Sequence, residues 1–171
     1  AIPVYFYKNL VDLAYVKRLV KVPNPEGVKV IDSRPYQGKY IQGYIPTAIS
    51  LPDSEFEKKA AELLPKDKNT TLVFYCEGPE CKLSHNSARK AEKLGYKNVK
   101  VFPGGFPEWV KAGNYPAIGV ETVKEQITKG ESFLLVDSRP QVKFIEGSIP
   151  SAISITDSAL DKKTGLLPAD I

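Results

Sequence analysis

Residues 30 to 54 read "VIDSRPYQGKYIQGYIPTAISLPDS", and residues 135 to 158 read "LVDSRPQVKFIEGSIPSAISITDS". The two stretches align with one residue deleted between the pairs Pro35/Pro140 and Ile41/Ile145, so Asp32 returns as Asp137, 105 positions on. A match of this length is read as an internal duplication whose period is that of a domain, not of a solenoid repeat. After the first copy the chain continues through a further apolar run, a loop with both cysteines, a helical stretch and another apolar run. The second copy reaches Ile171 with no counterpart of residues 72–116. The expectation is therefore a complete domain over residues 1–116, then a linker and the N-terminal half of a second domain over 117–171 that lacks the cysteine loop.

Working outward, the complete copy alternates strands with helices. "VKVID" (28–32), "TLVFY" (71–75) and "VKVF" (99–102) are short apolar runs rich in β-branched and aromatic residues, the pattern of strands buried on both faces. "NLVDLAYVKRLV" (9–20) carries apolar residues at helical spacing, with Asn9 as its expected N-cap. "SHNSARKAEKLGY" (84–96) reads as a helix opened by Ser84 and closed by Gly95. The fold class is α/β: an open, mostly parallel sheet flanked by helices, followed by a partial second copy.

Composition excludes several functions. The hydrophobic share of 42% and charged share of 26% are ordinary for a globular chain, and no apolar run approaches the ~20 residues that cross a bilayer. The net charge of +4 comes from lysines scattered among acids, with arginine only at positions 18, 34, 89 and 139, which is a solvated surface and not a nucleic-acid footprint. Two cysteines make no disulfide framework for a chain of 171 residues. Methionine is absent even at position 1, an end that removal of a signal peptide or trimming leaves. This favours the bacterial periplasm or cell envelope over the cytoplasm as the compartment.

The chemistry concentrates in "YCEGPECKLSHNSA" (75–88). Cys76 ends an expected central strand and Ser84 begins a helix, the place where open α/β sheets hold their ligands. Gly78 and Pro79 make the intervening turn tight, so its backbone N–H groups converge and favour negative charge, which pushes a thiol there toward thiolate. Cys76 is the expected nucleophile. Two roles are open to Cys81: a resolving thiol that closes a reversible disulfide with Cys76, or a loop filler. As a metal pair, C-x4-C with His85 alone nearby has too few ligands. His85 has two readings, a donor to a bound sulfur species or a solvent-facing or capping residue. The recurrence of Asp32, Ser33, Arg34 and Pro35 in a copy without cysteine points to a structural ion pair that fixes a turn. Trp109 is expected in the core.

Together "VIDSRP", "GYIPTAIS", a strand that ends in a cysteine loop, and "GGFPEW" (104–109) resemble, in order and spacing, the rhodanese-like sulfurtransferases. The resemblance spans residues 8–116 as a full domain and 120–171 as a partial one, in a tandem arrangement. It implies that Cys76 accepts a sulfane sulfur as a persulfide and passes it to a thiophilic acceptor. The loop residues Glu77, Gly78, Pro79, Glu80, Cys81, Lys82, Leu83 and Ser84 would line the substrate site, with Arg34 and His85 as auxiliaries. It further implies no metal or organic cofactor. The implied partners are a small sulfur-containing donor, a thiol or cyanide-like acceptor, and a sulfur-relay protein. Two departures bear on the donor: eight positions separate Cys76 from Ser84 where the family loop has six, and Glu77 and Glu80 stand against one Lys82. Polysulfide or a protein persulfide is thus as good an expectation as thiosulfate. The related phosphatase loop, Cys-x5-Arg, would need an arginine where Lys82 stands, and a lysine lacks the planar fork that grips phosphate. The alternative function is a non-catalytic binding or redox-sensing module that uses Cys76 and Cys81. A half-domain is also expected to expose a sheet edge and an apolar face.

Overall fold

The computed structural model describes residues 1–169; Asp170 and Ile171, the last positions of the expected second half-domain, lie outside the described residues. The chain forms two compact units, Ala1–Glu125 and a second from Gln126 onward.

In the first unit, β1 (Val28–Asp32), β2 (Ile49–Ser50), β3 (Thr71–Tyr75) and β4 (Asn98–Phe102) form one parallel sheet in the order β2-β1-β3-β4. Alternation splits each strand between two cores. Ile31, Leu72, Phe74, Val99 and Val101 face one side, where they pack with Phe56, Ala60, Ala88 and Ala91 from helices α2 (Phe56–Leu63) and α3 (Leu83–Lys93). Val30, Val73 and Tyr75 face the other, with Val16 from α1 (Leu13–Leu19) and Trp109 from α4 (Gly105–Lys111). Covering both faces is what makes the central strand β3, TLVFY, almost wholly apolar. Trp109 sits in the core as its sequence setting suggests, and its indole N–H donates to the Tyr115 carbonyl at 2.9 Å.

Helix ends show where local signals hold and where they yield. Gly95 ends α3 as expected: at φ +92° it donates to Glu92, while the next residue, Tyr96, donates to Ala91, so two open carbonyls find partners. Ser84, however, does not open α3; the helix begins at Leu83 and Ser84 is buried in its first turn. Asn9 is not a cap either. Residues 9–11 instead run beside β4, where the Val101 N–H donates to Asn9 and the Val11 N–H to Val101, both at 2.9 Å, so this segment takes up the exposed edge. The cap of α1 is Asp12, whose carboxylate accepts from the Tyr15 N–H at 2.9 Å.

The second unit contains the last four residues of α5 (Val120–Lys129), most of which belongs to the first, and then β5 (Val136–Asp137), α6 (Gln141–Glu146) and β6 (Ile153–Ser154). Strands β5 and β6 pair in parallel, Val136 with Ile153 and Asp137 with Ser154, as Ile31 pairs with Ile49 and Asp32 with Ser50. Thr47 and Ser151 both take the left-handed backbone, at φ +73° and +69°. Val142, Ile145, Ile149 and Leu166 are exposed.

Replacing Asp12 by Ala removes the acceptor for the Tyr15 amide and should cost about 1 kcal/mol. Chemical denaturation of both proteins will measure it, and an unchanged midpoint would mean that packing, not the cap, sets this helix start.

Candidate active site at the carboxyl end of the sheet

Asp32 ends β1 fully buried, and such a charge is tolerated only with close partners. Arg34 supplies them. Its Nε donates to both carboxylate oxygens at 3.0 and 3.1 Å, its terminal nitrogen donates to Oδ2 at 2.6 Å, and its amide donates to Oδ1 at 2.9 Å. The same terminal nitrogen donates to the Gly43 carbonyl at 2.6 Å. Burial alone would lower the Arg34 pKa, but the hydrogen bonds and charge of Asp32 outweigh it and raise the group above its usual value. The Tyr75 hydroxyl donates to Asp32 at 2.6 Å and accepts from the Ile45 N–H at 3.0 Å; burial, then the Asp32 charge, raise its pKa well above the usual. The turn-fixing ion pair expected from the repeat is therefore present. It also reaches the cysteine loop, because the other Arg34 terminal nitrogen donates to the Glu77 carboxylate at 3.0 Å.

The loop starts at Cys76, immediately after β3. Cys76 is buried and disulfide-bonded to Cys81, with Cα atoms 6.2 Å apart. Gly78 is buried at φ +132°, and its carbonyl accepts from the Cys81 N–H at 3.0 Å, which sets the turn that returns Cys81 to Cys76. The amides of Lys82, Leu83 and Ser84, at the start of α3, have no backbone acceptor among the described residues. As leading amides of a helix they point back toward the loop.

The other expected loop residues divide by partner. The Glu77 carboxylate turns to Arg34 and Lys39, so the negative charge next to Cys76 is answered from the β1 side. The Pro79 carbonyl accepts from the Tyr5 hydroxyl at 2.9 Å, and the Lys82 ammonium lies 5.3 Å from the centre of the Tyr5 ring. Glu80 is exposed, Leu83 half-buried and Ser84 buried.

His85 is neither solvent-facing nor a cap. It is completely buried against Phe6, ring centres 4.4 Å apart, and its Nδ1 accepts from the Tyr7 N–H at 2.9 Å. That bond places the proton of the neutral ring on Nε2, which has no partner among the described residues. Burial, then the charge of Arg89, lower its pKa to about 4.

Two contributors were not singled out from the sequence. One is the segment Tyr5–Tyr7, held by Arg89 through the Tyr5 and Phe6 carbonyls at 2.6 and 2.9 Å, which carries no motif that ties it to the loop. The other is Gly105, whose signal was its place in "GGFPEW". It sits at φ +63°, and a Cβ there would stand 2.2 Å from the Cys76 carbonyl oxygen. That carbonyl accepts from the Phe106 N–H at 3.0 Å, while the Phe106 ring covers Arg34 at 4.5 Å. Among the described residues no cluster of His, Cys, Asp and Glu could hold a metal ion.

Two outcomes follow for this site. Gly105→Ala should displace the Cys76 backbone and cost about 1–3 kcal/mol in stability; denaturation midpoints will show it, and an unchanged midpoint would refute the close approach. Neutral His85 contributes stability in full above about pH 6.5, its unfolded value, and this is lost as pH falls toward about 4, where the loss reaches about 3 kcal/mol. Urea titrations of wild type and His85→Gln across this window should show a steeper acid loss for wild type, and parallel curves would refute the assignment.

Residues 13–112 match the family model for the rhodanese-like domain. The chain is 35% identical over 86 residues to the HTH-type transcriptional regulator Rv0324 of Mycobacterium tuberculosis, a match covering 50% of this chain and 36% of that protein. It is 35% identical over 69 residues to the thiosulfate:glutathione sulfurtransferase of Saccharomyces cerevisiae, covering 40% of this chain and 47% of the relative. The chain thus matches less than half the length of either relative. Among solved structures, a thiosulfate sulfurtransferase from Pseudomonas aeruginosa superposes with a TM-score of 0.55 at 20% identity, over 95% of this chain and 34% of that one, a likeness of fold. Since the family model spans more than half of its residues, the chain belongs to the rhodanese-like domain family.

Proposed function

We propose that the protein is a sulfurtransferase that carries a sulfane sulfur on Cys76. The observation that supports this reading is the position of Cys76, at the end of β3, with the leading amides of α3, which have no backbone acceptor among the described residues, behind the loop. The disulfide-bonded form is chemically closed, so reduction is the first requirement. In the reduced form the Cys76 thiolate attacks the outer sulfur of a donor such as thiosulfate. A sulfur–sulfur bond forms to Cys76, the bond inside the donor breaks, and sulfite leaves with the electron pair. A thiol or cyanide-like acceptor then takes the outer sulfur and regenerates the thiolate. The helix-start amides would stabilise the negative charge of the persulfide and of the transfer step. The similarity to a thiosulfate:glutathione sulfurtransferase is consistent with this chemistry.

The second unit fits the same reading as the first half of a tandem domain. Arg139 binds Asp137 and the Gly147 carbonyl at 2.6–3.1 Å, as Arg34 binds Asp32 and Gly43. A second reading draws on the disulfide and on the likeness to a transcriptional regulator: a non-catalytic module that senses redox state through Cys76 and Cys81.

Reduced, desalted protein followed in time with thiosulfate, and separately with polysulfide, should at first gain the mass of one sulfur atom, located on Cys76 by peptide mapping. Cys76→Ser should gain none. Equal uptake by wild type and Cys76→Ser, or no uptake from either donor, would leave the non-catalytic reading in possession.

A further inference from the structure

The disulfide gives Cys81 a chemical task that a simple sulfur shuttle does not need. We propose that Cys81 resolves the Cys76 persulfide, so that the protein reduces sulfane sulfur to hydrosulfide as well as transferring it; this rests on the sulfurtransferase reading above. Three observations carry it. The two sulfur atoms are bonded with Cα atoms 6.2 Å apart, inside the usual range for disulfides, so Cys81 reaches the sulfur of Cys76 itself without backbone movement. The turn that presents Cys81 is held independently of that bond, by the Cys81 N–H to Gly78 and by the Tyr5 hydroxyl to Pro79, so the geometry of attack survives reduction. Within residues 1–171 Cys81 is the other cysteine, five positions on in the same loop, so it is the thiol at hand for a Cys76 persulfide.

The step balances within the site. The Cys81 thiol attacks Cys76 Sγ, the inner sulfur. The Cys76–Cys81 bond forms, the bond from Cys76 to the outer sulfur breaks, and the outer sulfur leaves with the electron pair and the proton of Cys81 as hydrosulfide. The sulfane sulfur gains two electrons, and the two cysteines lose them in becoming the disulfide. Return to the reduced state requires an external dithiol of low molecular weight or on a protein. The dithiol exchanges with the Cys76–Cys81 bond, is itself oxidised to a disulfide, and leaves both cysteines as thiols for the next donor. The competing fate, transfer to an outside acceptor, wins when acceptor is abundant. Without acceptor the persulfide is discharged internally.

Two measurements on the full chain test this. In the first, reduced and desalted wild type and Cys81→Ser are treated with thiosulfate in the absence of air and of other thiols, then followed by intact mass and by trapping of released sulfide. Wild type should pass through a species heavier by one sulfur to one lighter than the reduced protein by two hydrogens, with one sulfide released per disulfide formed. Cys81→Ser should hold its added sulfur at least about tenfold longer and release no sulfide until a thiol is supplied. In the second, hydrosulfide added to the disulfide form should run the step backward, with a persulfide on Cys76 and a free thiol on Cys81 after blocking and mapping. Persulfides of equal lifetime in the two proteins, or sulfur placed on Cys81 in the backward reaction, would overturn the resolving role and leave Cys76 loading intact. If thiosulfate loads neither protein, the sulfurtransferase reading with this donor fails, while the backward reaction still decides the role of Cys81.

Discussion

The first unit is organised around one buried negative charge. The Asp32 carboxylate would cost several kcal/mol to bury alone, so three kinds of donor converge on it: the Arg34 guanidinium, the Arg34 amide and the Tyr75 hydroxyl. Each donor fixes another part of the molecule. Tyr75 locks the last residue of β3 to the turn at Ile45, Arg34 holds the turn at Gly43, and the free arm of Arg34 reaches Glu77, the residue after Cys76. The cysteine loop is thus placed from beneath by electrostatics that begin on a neighbouring strand. Phe106 covers the guanidinium and, through its backbone, holds the Cys76 carbonyl, so the packing of α4 and the charge network act on the same few atoms.

Much of this was legible in the sequence because it was written in local patterns. Short runs rich in β-branched and aromatic residues marked the doubly covered strands, Gly95 marked a helix end, and the recurrence of "DSRP" at 137–140 marked a structural clasp. The position of Cys76 followed from the strand–loop–helix order. The errors came where a distant partner outbid a local preference. Asn9 is a good cap in isolation, but the open edge of β4 claimed its carbonyl, and Asp12 took over the helix start. Ser84 looked like the helix start, but the helix begins one residue earlier, at Leu83, and Ser84 is buried in its first turn.

His85 shows the limit most clearly. As a histidine in the first turn of a helix with polar neighbours, it reads as a surface or capping residue. Its burial depends on Phe6 and Tyr7, nearly eighty positions away, and nothing periodic in the sequence links that segment to α3. The same holds for the grip of Tyr5 on Pro79, which is one hydroxyl and one carbonyl brought together only by the fold. Sites built from the end of a strand are readable from order and spacing, whereas those closed by a distant segment are not.

The Asp–Arg clasp occurs twice with nearly the same bond lengths but in different surroundings. Arg34 is 2% exposed and Arg139 51%, while their carboxylate partners are 0% and 11% exposed. Dissolved salt screens the outer pair and scarcely touches the inner one. One chain therefore holds a matched experiment in dielectric environment: the same motif, the same geometry, and two different strengths set by how much water each is allowed to see.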